Sequence, residues 1–371
     1  MFHRRFIAFH LALSLAGCAE PEPAAVDAAG ALGDAALDDL GAPDDDAASR
    51  CPARPEAPAA WRPGPSRGPQ DDSLRVNHLQ VEGTHNSYHL RPPRVIAEWD
   101  YAMEPLDVQL GQQGVRALEL DLRWDATCER FRVFHLPGLD ARSTCDAFVE
   151  CLAVVRDWSH AHPGHHVLFV QLEPKDSWDA ETAERRLVAM EREIVSVFHR
   201  DQIVTPGEVQ GAAPSLRAAV TTRGWPTLGE TRGRVLFFID RSDSLREVYT
   251  HGGRDLAGRL AFIDAEHDAP YAAVRVLNNP AHAALAAALD ANFLVRVFSW
   301  TAGAAPLTDQ ERDLAFASGA HIVSTDYPGA MARDGRPGIA VPDGAPSRCN
   351  PVTAPRGCAA AALEALGDAG R

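Results

Sequence analysis

Ionisable and amide side chains recur at the ends of short apolar runs along this chain. His85 and Asn86 follow "HLQVEGT", and Glu119 and Asp121 sit inside "VRALELDLRW". His135 closes "FRVFHL", Glu173 and Lys175 follow "HVLFVQL", and Asp326 closes "AHIVSTD". Residues i and i+2 of a strand share a face, so Glu119 and Asp121 aim together, as do Glu173 and Lys175. Buried carboxylates without partners are costly. Three near one another repel, and hold protons more tightly, unless a cation sits among them. Asn86, Glu119, Asp121 and Glu173 all offer oxygen, which suits a hard ion: Ca2+, or less well Mg2+. Two histidines beside such an ion could move protons or steady negative charge. Each residue alone has a plainer reading, since a strand-end His often caps a turn and a buried Glu often meets an Arg. Four consecutive runs all ending in ionisable groups carry more weight.

Lys175 is the only lysine of the chain, beside 35 arginines. Arg is a broad planar fork and Lys a compact point charge. A lone Lys within the candidate site marks a position where a guanidinium does not fit.

These residues need a frame. The candidate strands are 78–84, 115–124, 131–136, 166–173, 234–240, 259–264, 293–300 and 320–326. Helical stretches lie between them. In "STCDAFVECLAVVRDWSHAH", Phe148, Leu152 and Val155 follow helical spacing. Others are "DAETAERRLVAMEREIVSVFHR", "AHAALAAALDANF" and "TDQERDLAFAS", the last with a capping box from Thr308 to Glu311. Eight buried strands alternating with helices predict an α/β fold, a (β/α)8 TIM-like barrel. The loose spacing between 238 and 262 allows it to be distorted or partly open. In such a barrel the strand ends form the mouth where chemistry sits.

The 371 residues are 46% hydrophobic, enough for a full-sized core. The net charge of -15 argues against nucleic acid as a partner. No apolar run reaches 18 residues, so no transmembrane helix is expected. Residues 1–17 read as a signal peptide: a basic "MFHRR", an apolar "FIAFHLALSLAG", then Cys18. "LAGC" resembles the lipobox of a bacterial lipoprotein, so Cys18 is the expected lipidation site. The chain is then exported and anchored at an outer membrane or cell surface. Residues 18–72 are rich in Ala, Asp and Pro and read as a disordered tether. The catalytic domain is expected over 73–345, with a C-terminal tail over 346–371. Beyond Cys18 there are six cysteines and no CxxC pair, which in an oxidising compartment suggests disulfides. Cys349 and Cys358 could close a local loop; the other four are open.

"THNSYH", "ALELDLRW", "VFHL" and "VQLEPKD", in this order and spacing, resemble the X-region of phosphatidylinositol-specific phospholipase C. The likeness is to the bacterial, Ca2+-dependent branch, and "SGAHIVSTDYP" is similar to that branch's last strand. It spans roughly residues 75–330. The resemblance implies a catalytic pair, His85 and His135, and four calcium ligands, Asn86, Glu119, Asp121 and Glu173. Lys175 would touch the substrate phosphate or support the metal shell, and Arg296 and Asp326 would contact substrate. A departure is the seventh strand, where the family's Arg-Thr-Arg element reads "VRVFSW", leaving Arg296. The implied reaction is attack of an inositol 2-hydroxyl on phosphorus, with Glu119, Asp121 or Glu173 as base. His85 and Lys175 would steady the phosphate, and His135 would protonate the leaving oxygen. The substrate is a phospholipid or an inositol phosphodiester. Two alternatives stay open: a glycerophosphodiester phosphodiesterase, although that family tends to open on His-Arg-Gly, and a non-catalytic surface lipoprotein on the same barrel.

Overall fold

The structure, a computed structural model, describes residues 51, 61–62, 68–93, 99–298, 309–329, 338–342 and 346–364, all within the unit Arg50–Arg371. The expectations for the signal segment, for Cys18 and for most of the tether lie outside the described residues, as does Thr308.

Eight parallel strands form a nearly closed barrel. They are β1 (Leu79–Thr84), β2 (Ala117–Asp125), β4 (Leu168–Pro174), β5 (Val235–Ile239), β6 (Phe262–Ile263), β7 (Val274–Leu277), β8 (Leu294–Phe298) and β9 (Ile322–Thr325). Neighbours run β6-β5-β4-β2-β1-β9-β8-β7, and a single bridge, Asp264 to Val274, joins the two ends. That thin seam, at a two-residue strand, is where the sequence spacing was loose. Two strands lie off the barrel. β3 (Arg130–Val133) pairs antiparallel with β2, and β10 (Ser347–Cys349) pairs antiparallel with β1.

The expected third barrel strand, 131–136, is therefore a hairpin arm. Only four residues separate Asp125 from Arg130. A parallel crossover needs about a dozen, so this connection can only double back. The missing barrel strand is β7, which the sequence reading did not find. No helix precedes it, and its run is only four residues long.

Helices Phe148–Ala161 and Ala180–Val197 pack outside. Phe148, Leu152 and Val155 are wholly buried, as their spacing requires. Asp179 caps the second helix by accepting from the Thr182 amide at 2.8 Å. Gly83 lets β1 sit close between its neighbours. A Cβ there would lie 3.0 Å from both Ala117 Cβ and Ile322 Cγ2.

The folded body exceeds 73–345 at both ends. Asp71 is buried and accepts from Arg232 Nε at 2.7 Å. Residues 346–364 do not trail away. β10 extends the sheet, and Glu364 binds Arg116 through Nε at 3.0 and 3.1 Å. Disulfides join Cys51 to Cys128, Cys145 to Cys151, and Cys349 to Cys358. The last is the local loop the spacing allowed. No helix among the described residues is long and apolar enough to cross a membrane.

Candidate active site and metal centre

Strand register builds the acidic cluster. β2 and β4 pair so that Asp121 lies opposite Glu173 and Glu119 opposite Gln171. Partners at one level of a parallel pair point to the same face, so three carboxylates meet at the strand ends. One ligand oxygen from each of Glu119, Asp121 and Glu173 lies within 4.8 Å of the others.

Asn86 arrives by a different route. β1 ends at Thr84 and the chain turns at once. Asn86 takes φ 45°, a left-handed conformation that Asn tolerates better than most residues. The turn is fastened to β2, with the Ser87 amide donating to the Glu119 carbonyl at 3.0 Å and the Glu119 amide donating to Ser87 Oγ at 2.7 Å. Adjacent residues of a regular strand point to opposite faces, so leaving the strand here lets His85 and Asn86 both join the site. Asn86 is buried, with Tyr88 Oη donating to its Oδ1 at 3.2 Å. Burial and the nearby Asp121 carboxylate push the Tyr88 hydroxyl well above its ordinary pKa.

Asp121 is wholly buried, and neither of its oxygens has a hydrogen-bond partner. Lys175 Nζ donates to Glu173 Oε1 at 2.6 Å and lies 3.3 Å from Asp121 Oδ2. Burial raises the Asp121 carboxyl, the Lys175 ammonium opposes the rise and Glu173 adds to it, leaving it at about 6. Burial acts upward on Glu173 too, but the charge and hydrogen bond of Lys175 win and hold it below its usual value. Lys175 itself is raised, because the two carboxylates outweigh its burial. A cluster of carboxylate oxygens in which buried Asp121 accepts no hydrogen bond and is met only by the Lys175 charge fits a hard divalent cation.

His85 donates from Nδ1 to Asp326 Oδ1 at 2.8 Å, with Nε2 3.7 Å from Glu119 Oε1. Burial would lower its pKa, yet the charges of Asp326 and Glu119 raise it to about 9. Its ring lies against Phe298 at 4.6 Å. His135 follows β3 and donates from Nδ1 to Asp140 Oδ2 at 3.0 Å, with Trp99 edge-on at 5.9 Å. No hydrogen bond joins the two histidines among the described residues.

Arg296 and Asp326 were expected to contact substrate, and both are engaged within the protein. Arg296 is buried, donating to Glu119 Oε2 at 2.6 Å and to Asn278 Oδ1 at 2.5 Å. It orients a carboxylate of the cluster. Asp326 holds His85. Ser299 and Trp300 of "VRVFSW" lie outside the described residues.

Asp140, Tyr88, Asn278 and Tyr101, whose Oη accepts from Asn86 Nδ2 at 3.3 Å, join the site without an assigned role in the sequence pattern. Asp140 had a signal: "HLPGLD" is a Pro-Gly turn that folds residue 140 back beneath residue 135. Gly138 takes φ 72° there.

A profile of the family described as phosphoinositide phospholipase C, Ca2+-dependent, matches residues 127–351. The chain belongs to this family. The matched family is a phospholipase C family, not that of the glycerophosphodiester phosphodiesterases, which removes the ground of that alternative. A calcium-dependent phosphoinositol-specific phospholipase C from Pseudomonas sp., in its myo-inositol complex, has TM-score 0.57 at 19% identity, covering 76% of this chain and 98% of that one. The Ca2+-dependent phosphatidylinositol-specific phospholipase C of Streptomyces antibioticus has TM-score 0.51 at 19% identity, covering 68% and 95%. At that identity the likeness speaks for the fold. No curated protein matches the sequence. The phospholipase C profile begins after β2, so His85, Asn86, Glu119 and Asp121 are joined to the matched part by the sheet pairing.

Proposed function

We propose that this chain is a Ca2+-dependent phosphodiesterase that cleaves phosphatidylinositol or a related inositol phospholipid, through attack of the 2-hydroxyl on phosphorus. The observation that carries the reading is Asp121: a buried carboxylate that accepts no hydrogen bond, level with Glu173 and beside Glu119. Glu119, Asp121, Glu173 and Asn86 would hold the ion. When bound, Ca2+ supplies positive charge that acidifies a nearby hydroxyl and offsets the phosphate's negative charge.

The chain's own groups do the rest. Glu119 accepts the hydroxyl proton; Arg296 fixes its Oε2 while its Oε1 faces His85. The hydroxyl oxygen bonds to phosphorus, and the bond from phosphorus to the glycerol oxygen breaks. His85, protonated and held by Asp326, donates to a phosphate oxygen, and Lys175 adds a second charge. His135 gives its Nε2 proton to the departing oxygen. The first product is a cyclic phosphodiester.

Leaving groups separate these roles. His135→Ala should be severe for a glycerol ester, which leaves as a poor alkoxide, and mild for a nitrophenyl ester, which needs little protonation. His85→Ala should be severe for both, since charge builds on phosphate in either reaction. General acid groups are worth about 10²–10⁴-fold, so the contrast is measurable. Equal losses on both esters for both variants would refute the assignment, and no chelator-sensitive turnover at all would favour the binding-only alternative.

The "LAGC" of residues 15–18 supports export and lipid anchoring at Cys18. Cys18→Ser should shift the protein out of the membrane fraction or leave an uncleaved precursor. Unchanged processing and partition in that variant would remove the anchor from the proposal.

A further inference from the structure

His135 is not the only histidine that meets Asp140. His89 Nε2 lies 3.0 Å from Asp140 Oδ2, the same oxygen that receives His135 Nδ1 at 3.0 Å. Asp140 and His89 are both wholly buried. Burial acts to raise the Asp140 pKa, but the hydrogen bonds from His135 and His89 hold it below its usual value. An ionised carboxylate can only accept, so both facing ring nitrogens carry protons. That leaves Nε2 of His135 as the nitrogen free to serve a substrate. His89 stacks on Tyr101 with centroids 4.2 Å apart, and its Nδ1 has no partner. A buried polar ring with one nitrogen unbonded is costly, and its other nitrogen is satisfied by Asp140.

The backbone shows what this bridge spans. The turn after β1 carries His85, Asn86 and His89; the loop after β3 carries His135 and Asp140. The Thr144 amide donates to the Tyr88 carbonyl at 2.8 Å, and His89 pairs with Ser143 in an antiparallel bridge. Within the second loop, Leu136 and Asp140 exchange both backbone hydrogen bonds at 2.9 Å. The Cys145–Cys151 disulfide fastens the end of that loop to helix Phe148–Ala161.

We infer that Asp140 and His89 are a positioning pair that sets the tautomer and aim of His135, locking its loop to the turn that presents His85 and Asn86. The inference rests on reading His135 as the proton donor. Asp140 touches no reacting atom. It accepts from His135 Nδ1 and so fixes the ring's orientation, and His89 keeps that carboxylate from rotating away.

The test compares Asp140→Asn, His89→Leu and His89→Gln with His135→Ala, on a glycerol ester and a nitrophenyl ester of inositol phosphate. Asp140→Asn should lose on the order of 10²-fold in kcat on the glycerol ester, with KM nearly unchanged, and far less on the nitrophenyl ester. His89→Leu should fall in the same pattern. His89→Gln, whose amide still donates to Asp140, should recover most of the loss. Nitrogen-15 spectra of the imidazoles should show a proton on His135 Nδ1 in the wild type and its depletion in Asp140→Asn, a readout that needs no turnover. Equal losses on both esters for Asp140→Asn, or an unchanged His135 spectrum, would overturn the pair while leaving the donor role intact. A His135→Ala variant without leaving-group contrast would overturn the donor role, and the pair with it. Were His89→Leu to unfold, the Asp140→Asn spectrum and the Gln rescue still decide the matter.

Discussion

Lys175 occupies a contested place. It sits between Asp121 and Glu173 and supplies a single positive charge to a cluster that holds three negative ones. A divalent ion bound there must tolerate an ammonium a few ångströms away, and even two unit charges at about 4 Å repel by on the order of 4 kcal/mol at an effective dielectric of 20. In the proposed metal centre the lysine would therefore restrain calcium affinity, while its charge offsets the carboxylates of the empty cluster. Lys175→Met should bind calcium more tightly, by about tenfold, yet turn over more slowly, because a charge on the phosphate is lost. Asp121→Asn should do the reverse to binding, cutting affinity and turnover together. Calorimetry on both variants separates the two effects. Weaker binding in Lys175→Met would mean the lysine organises the ligands instead of competing with the ion, and unchanged binding in Asp121→Asn would take Asp121 out of the metal centre. These residues were legible in the sequence because their types are improbable where they stand, in otherwise apolar strands. Asp140 was less so, since an Asp after Pro-Gly is ordinary turn chemistry until the histidines around it are placed.

The elements were legible where local pattern decides them. β1, β2, β4, β5, β6, β8 and β9 fall within or beside their expected runs, and so do the two long helices. The errors came where a decision needed a partner. "FRVFHL" has a strand's composition, but the four residues before β3 make it a hairpin arm. Its alternation says the same, with Phe131 and Val133 buried and Arg132 exposed. β7 failed the opposite way. Residues 265–273 form turns with no helix, so the strand–helix–strand rhythm breaks just before it. The stretch 346–364 looks like a tail because it has no hydrophobic period. What holds it is backbone pairing to β1 and the bond from Arg116 to Glu364, 248 residues apart. No local pattern reports a partner at that distance. Disulfide choice has the same limit: Cys51 and Cys128 are 77 residues apart, and only the fold selects them.

At the scale of the whole molecule, the barrel has two ends with opposite demands. The mouth gathers charge for chemistry, while the other end hides neutral histidines. His165 and His166 precede β4, and His321 precedes β9, so all three lie at the end where strands begin. Each is buried, and burial lowers each to a pKa of about 4. His321 shows why it stays neutral. Its Nδ1 accepts from the Val295 amide at 3.0 Å, and its Nε2 donates to the Asn77 carbonyl at 3.0 Å. Only the neutral ring with its proton on Nε2 satisfies both, and a second proton would face the Val295 N–H with no acceptor. The sign follows from linkage. Between the ordinary value of 6.5 and about 4, the unfolded chain binds this proton and the folded chain does not. The contribution of His321 is thus complete above pH 6.5 and lost as pH falls toward 4. At 1.36 kcal/mol per unit the loss is at most about 3 kcal/mol. His321→Gln keeps a donor and an acceptor but cannot titrate. At pH 7 it should be less stable than the wild type, since its amide fits the two partners imperfectly. That gap should narrow steadily as pH falls from 6.5 to 4, because only the wild type pays the proton penalty. Urea unfolding at pH 7, 5.5 and 4, with calcium held constant, reads the gap directly. A gap of the same size at all three would show that His321 accepts its proton without breaking the bond from Val295, and that the base of the barrel is not where acid acts.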